Sequence, residues 1–242
     1  MKHSLSGTLT LLTITQEEQF LAYAPKLVAC FKNFFGEEPW NEAWYCRSCA
    51  RNYGFADVPA GLRCCGESVE EYFSDEFVFG LVEEVWKKPS RVICLHLSAD
   101  LEMLSFYWGW VEGRDTIENF IGHQPICEMP ELPQAIRKAN NDKYPEKYIF
   151  SAESGVISAM RGQKLSQKLF ETGVRHLTKA EKEIEAIVCK TRRASPMYHL
   201  KKKSGFKEIF QEKASDYVYM MLNGENFHNM ISELNLKSSD IP

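Results

Sequence analysis

The chain has 242 residues, 44% of them hydrophobic and 26% charged, with a net charge of −4. That balance excludes bulk disorder, and the slightly acidic total offers no whole-molecule attraction to nucleic acid or anionic membrane. The apolar run at 9–14 is short and broken by threonines, unlike a signal-peptide core, and no segment approaches the roughly 20 apolar residues of a membrane span.

The expected location is therefore a reducing cytoplasm. There the 8 cysteines point to metal binding or core packing rather than to a disulfide framework.

Residues 8–15, rich in Leu, Ile and Thr, predict a first strand. Thr15-Gln16-Glu17-Glu18 resembles a capping box. Phe20, Leu21, Tyr23, Ala24, Leu27, Val28 and Phe31 then recur at helical spacing until Gly36 and Pro39 end the helix. A second helix is expected over 68–88, with Val69, Tyr72, Phe73, Phe77, Leu81, Val82 and Val85 on one stripe and Pro89 as its stop. Strands follow at 91–97 and 104–111, the second rich in aromatics.

The region 112–145 carries Gly and Pro and predicts a loop with one short helix at 132–140. Beyond it come a strand at 147–158, a helix at 166–180, a strand at 186–191, a helix at 195–203 and a strand at 217–222. The tail after Asn223 shows little pattern. Alternating helices and strands of this kind predict an α/β protein with mixed strand pairing.

Chemistry concentrates where the strand before residue 158 meets the helix after it. Val156-Ile157-Ser158-Ala159-Met160-Arg161-Gly162-Gln163-Lys164-Leu165-Ser166 is a strand end, a polar turn and a helix start. The exposed amides and positive end of a helix make an anion site suited to a pyrophosphate. Arg161 and Lys164 add charge, and Gly162 lets the backbone approach closely. A basic turn capping a surface helix is the plainer alternative.

These residues resemble the signature of the GNAT acetyltransferase superfamily, Q/R-x-x-G-x-G/A in the same strand-turn-helix setting. Val156, Arg161 and Gly162 match and Ser166 keeps the last position small, whereas Lys164 stands where glycine is usual and Ser158 where proline is common. Two further segments resemble the superfamily in the right order. One is Gly36-Glu37-Glu38-Pro39-Trp40-Asn41-Glu42-Ala43-Trp44 after the first helix. The other is Lys203-Ser204-Gly205-Phe206-Lys207-Glu208 before the last strand.

The resemblance implies a GNAT fold, a central mixed and mostly antiparallel twisted sheet flanked by helices, over residues 1–225, with 226–242 as a peripheral tail. It implies acetyl-CoA as co-substrate and direct attack by a primary amine in a ternary complex. The backbone of Val156 and Ile157 would align the pantetheine arm, while Ser158, Arg161, Gly162, Gln163, Lys164, Leu165 and Ser166 hold the phosphates. The superfamily's acid, a tyrosine spaced Y-x-x-x-G-F, falls on Lys201, leaving Tyr198, about one turn earlier, as the candidate acid or as a packing residue. Glu153 is the candidate base, with Glu112 as its competitor. The alternative is a GNAT-fold module that binds acyl-CoA without turnover.

A Cys-rich insertion spans 44–67. Cys46-Arg47-Ser48-Cys49 followed by Cys64-Cys65-Gly66 approximates a zinc ribbon and suggests a structural zinc, although Leu62 sits where a regular second knuckle has its first cysteine. The alternatives are a degenerate ribbon packed on Trp44, Tyr45 and Tyr53, or a surface that recruits a partner. Cys30, Cys94, Cys127 and Cys189 lie in apolar surroundings as core residues. Arg192, Arg193 and Lys201 to Lys203 are expected beside the cofactor phosphates rather than on nucleic acid. Asp115, Glu118 and Glu128, near Tyr107 and Trp108, suggest an acceptor side for a cationic amine.

Overall fold

The computed structural model describes residues 9–38, 40–57, 60–114, 131–212 and 216–236. Seven strands form one sheet, in the order Thr10–Thr13, Arg91–Leu97, Met103–Gly113, Lys147–Val156, Ile184–Arg192, Tyr217–Asn223 and Lys207–Gln211. The chain divides into two compact units, one drawn from 1–87, 93–107 and 154–170, the other from 88–92, 108–153 and 171–242.

In the first unit, β1 (Thr10–Thr13) pairs antiparallel with β7 (Arg91–Leu97), Thr13 opposite Cys94 and Thr10 opposite Leu97. Every residue of β7 from Val92 to Leu97 is buried, as a strand covered on both faces requires. Helix α1 (Glu17–Gly36) buries Phe20, Ala24, Leu27, Val28 and Phe31 of the expected stripe, and Phe35 beyond it, whereas Leu21 of that stripe is 60% exposed and Tyr23 half-buried. Its start differs by one residue from the expected box: Gln16 is the cap, and its backbone N–H donates to Gln19 Oε1 at 3.3 Å.

Helix α2 (Asp75–Lys87) is shorter than expected because Ser74 caps it, the Phe77 N–H donating to Ser74 Oγ at 3.1 Å. Residues assigned to its first turns are instead extended, and Val69 packs in the cysteine insertion. Phe31 meets Phe73 at 5.2 Å and Phe106 at 6.0 Å, and Phe20 stacks on Trp86 at 4.8 Å.

The insertion forms two small sheets. β2 (Trp44–Cys46) lies between β3 (Arg51–Tyr53) and β6 (Glu70–Glu71), while β4 (Arg63–Cys64) pairs with β5 (Glu67–Ser68).

Strand β8 (Met103–Gly113) and β9 (Lys147–Val156) run through both units. In the second unit, β9 pairs in parallel with β10 (Ile184–Arg192), and β10 pairs antiparallel with β12 (Tyr217–Asn223). β11 (Lys207–Gln211), which no pattern in the sequence announced, pairs antiparallel with β12 at the sheet edge. Helices α3 (Glu131–Ala139), α4 (Leu165–Ala180) and α5 (Pro196–Lys203) fall close to expectation.

The segment after Asn223 is a helix, α6 (Gly224–Leu236), packed on β10 and β12 with Phe227 and Leu234 buried. A spacing of seven residues puts both on one side of a helix. Asn223 Nδ2 donates to Ala139 O at 2.8 Å, tying the last strand to the end of α3. Among the described residues no helix is long and apolar enough to cross a membrane.

Candidate functional site

Strand β9 keeps its pairing with β10 only as far as Ser151 opposite Cys189, so its last residues, Ala152 to Val156, have no β10 partner in the register. Gly155 lies in this stretch, and a Cβ there would stand 2.5 Å from Phe106 Cε1 and 2.8 Å from Phe34 Cγ. The aromatic pair approaches the strand closely because glycine leaves the room.

After Val156 the Ile157 N–H donates to Leu104 O at 3.0 Å, and a short 3-10 turn covers Ser158–Met160. Met160 and Leu165 are buried with Leu104 in a small apolar cluster that Val156 and Ile157 extend, so both ends of the turn are anchored. Between them Gly162 and Lys164 take positive φ, 84° and 60°. From Gly162 to Ser166, no carbonyl among the described residues accepts a backbone N–H; the first helical bond is Lys168 N–H to Lys164 O at 3.0 Å. Left-handed residues at a helix start turn successive N–H groups toward one point, an anion-binding nest.

The geometry shows what a glycine at position 164 would relieve. Lys164 holds a left-handed backbone that costs a non-glycine residue roughly 1–2 kcal/mol. Glycine loses more chain entropy on folding, which offsets part of that strain. Lys164→Gly is therefore expected to stabilise the fold by about 0.5–1 kcal/mol, read as a higher denaturant midpoint at constant slope. A lower midpoint would mean that the lysine side chain holds the turn.

Arg161 is engaged within the protein. Its guanidinium donates to Glu38 O at 3.1 Å and Glu37 Oε2 at 3.3 Å and lies 5.8 Å over the Phe34 ring. Ser158 Oγ lies 3.5 Å from Glu37 Oε1. Glu37, just past α1, thus faces the turn, a role its place in the quoted Glu37-Glu38-Pro39-Trp40 stretch did not reveal. Pro39 itself lies outside the described residues. Gln163 contributes a contact to Met160 Sδ at 3.6 Å.

In the second unit Tyr198 is buried on α5, and its hydroxyl donates to Glu208. Arg193 grips the same carboxylate at 2.6 Å. The Tyr198 hydroxyl and the Arg193 guanidinium together hold the Glu208 carboxyl below its ordinary range. Lys201 is buried with its amine 4.6 Å over the Phe206 ring, and burial pushes its pKa down.

The basic run expected beside phosphates is largely used internally, since Arg192 also pairs with Asp216 at 2.9 Å. Glu153 is half-buried on β9, two residues beyond the last β10 pair. Glu112, its competitor, accepts from Lys88 at 2.9 Å and from the Trp110 indole. It is next to last in β8, whereas the β8 residue meeting the turn, Leu104, is second. Tyr107 and Trp108 are core residues, 1% and 2% exposed, and do not line an acceptor surface. Asp115, Glu118, Cys127 and Glu128 lie outside the described residues.

The insertion gathers Cys46, Cys49, Cys64 and Cys65 so that their sulfurs all lie within 4.8 Å of one another, a group able to hold a metal ion. The adjacent pair is accommodated by the backbone. Cys65 at φ 45° and Gly66 at φ 87° turn the chain sharply, and Ala50, at φ 50°, does so after Cys49. Each left-handed non-glycine residue costs roughly 1–2 kcal/mol, so the insertion carries strain that something must offset. The backbone N–H of Cys49 and the neighbouring thiols hold the Cys46 thiol down at about 7, while the thiols of Cys64 and Cys46 push Cys49 up to about 12.

No protein-family model and no curated protein matches this chain. Solved structures do. A mosquito arylalkylamine N-acetyltransferase like 5b aligns with a TM-score of 0.53 at 12% identity, over 90% of this chain and 100% of that one. An uncharacterized protein of Bacillus halodurans aligns at 0.50 and 13%, over 98% and 94%, and a protein of Pyrococcus horikoshii at 0.51 and 12%, over 90% and 99%. Likeness at this identity shows the fold. The mixed seven-stranded sheet flanked by helices is the GNAT fold.

Proposed function

We propose that this chain, with the fold of the GNAT acetyltransferases, transfers an acetyl group from acetyl-CoA to a primary amine by direct attack in a ternary complex. The observation that carries the reading is the run of backbone N–H groups from Gly162 to Ser166, without carbonyl partners among the described residues, at the positive end of α4. It suits a pyrophosphate, with Arg161 and Lys164 adjacent.

The end of β9 that lacks a β10 partner offers backbone groups to align the pantetheine arm and its thioester carbonyl. Positioning and stabilisation of the tetrahedral oxyanion then carry most of the acceleration. Glu153 takes the ammonium proton, directly or through water, and Tyr198 is the candidate donor to the departing thiolate. The acceptor class, a cationic amine, rests on the acidic residues 115, 118 and 128. Free thiols and an acyl-CoA substrate suit a reducing cytoplasm.

A second reading, an acyl-CoA binder without turnover, draws support from Tyr198, whose proton is already committed to Glu208, and from Lys201 at the superfamily's tyrosine position. Acetyl-CoA titration tests both. Saturable binding is expected, with Arg161→Ala weakening it about tenfold, near 1.4 kcal/mol. No saturation, or an unchanged constant in the variant, rules out both readings. Where binding holds, thiol release across polyamines, amino acids and lysine peptides separates enzyme from binder.

A further inference from the structure

We infer that Cys46, Cys49, Cys64 and Cys65 hold one zinc ion that fixes the insertion, independently of acyl transfer. Cys46 Sγ lies 3.6 Å from Cys65 Sγ, and Cys49 Sγ lies 3.4 Å from Cys64 Sγ. Four sulfurs at zinc-bond length on a tetrahedron are about 3.8 Å apart. The observed spacings approach that edge, and all four sulfurs are mutually close. Two disulfides would need closeness only within each pair, at bonded S–S lengths of about 2.0 Å.

The surroundings fit a structural site. Cys46 is fully buried, and Cys46, Tyr53 and Val69 form a small core on which Trp44 and Cys64 pack. The Tyr53 hydroxyl donates to Cys64 Sγ at 2.8 Å, a hydrogen bond of the kind that orients a metal-bound thiolate. Four thiolates complete a tetrahedron and leave no position for substrate, so the ion takes no part in chemistry. Zinc suits the donor set better than iron, because Cys49 and Cys65 are exposed to solvent and zinc has no redox chemistry for solvent oxidants to exploit.

The metal also explains the left-handed Ala50 and Cys65, because each turns the chain at a ligand knuckle. Ligation closes the loop between Cys49 and Cys64, which carries two short 3-10 turns.

The test is metal analysis of the full chain purified under reducing conditions, followed by exchange with cobalt. One zinc per chain is expected, and cobalt should give the visible and near-ultraviolet absorption of a tetrahedral tetrathiolate. Cys49→Ser should abolish that spectrum, Ser48→Ala should keep it, and Tyr53→Phe should keep it while lowering affinity about tenfold or more. If Cys49→Ser fails to fold, thiol-specific titration of the wild-type protein should still release one zinc per chain.

Absence of metal with no tetrathiolate spectrum overturns the assignment. So does an iron chromophore, or mass analysis showing the four cysteines as disulfides in freshly purified, unreduced protein.

Discussion

Valine at position 155 is expected to lower stability by about 3 kcal/mol or more, the upper part of the overpacking range. Even the first added carbon would sit 2.5 Å from Phe106 Cε1, 2.7 Å from its Cζ and 2.8 Å from Phe34 Cγ. The Phe106 ring has little room to give way. It is fully buried, with Phe31 at 6.0 Å and Phe34 edge-on at 6.1 Å.

Gly155→Ala removes some unfolded-chain entropy, a benefit of about 0.4–1 kcal/mol that the clash should exceed. Denaturant midpoints at constant slope measure both variants. A midpoint for Gly155→Val within error of the parent would mean that the close approach of Phe34 and Phe106 is not a constraint. Partial recovery in Gly155→Ala with Phe106→Leu would identify the ring as the obstacle. Position 155 also leads through Val156 and Ile157 into the turn at 158–164, so under the proposed function acetyl-CoA affinity should fall with stability.

Removal of the Trp110 indole should cost about 3–5 kcal/mol, the range for a large aromatic deleted from a core. Trp110 is 2% exposed and meets Phe150 at 5.0 Å. Its ring lies 5.3 Å beneath the Lys88 amine, and its N–H donates to Glu112. Trp110→Ala therefore opens a cavity and takes a donor from Glu112, whose side chain is only 11% exposed. Trp110→Phe keeps most of the apolar contact and loses the donor, for an expected cost of about 1.5–3 kcal/mol. Equal losses in the two variants would assign the whole effect to the hydrogen bond. A loss below about 1 kcal/mol in Trp110→Ala would mean the site collapses around the deletion.

Much of the fold was legible because its signals are local. The stripe on α1, the aromatic strand β8 and the strand-turn-helix at Val156 to Ser166 each declare themselves within a dozen residues. Glycine and phenylalanine after α5 mark its end in the same way, Gly205 taking φ 88°. What escaped depends on partners distant in sequence.

Strand β11 exists because β12 pairs with it, and Lys207 to Gln211 alternate too weakly to announce a strand. Val69 and Tyr72 continued the periodicity of α2, but Ser74 caps the helix after them and Glu70–Glu71 pair with β2. In the candidate site, the engagements of the residues were not legible. Nothing local says that Glu37 and Glu38 hold Arg161, that Glu208 holds the Tyr198 proton, or that Cys65 turns back toward Cys46. The left-handed φ of Lys164 follows only from the turn it completes.

The parallel pairing of β9 with β10 has its own consequence. The pairs β1–β7, β10–β12 and β11–β12 run antiparallel, and such strands can be joined by tight turns. A parallel pair cannot, because the chain must travel back along the sheet before the next strand begins. Helix α4 is that return journey, so it must start where β9 ends. Connectivity alone therefore delivers a helix's positive end to the carboxyl edge of this strand pair, the edge where open α/β sheets generally take their ligands. Topology supplies the amides and the dipole, and in the proposed function the side chains of the turn, Lys164 among them, are left to tune an anion seat whose backbone they do not create.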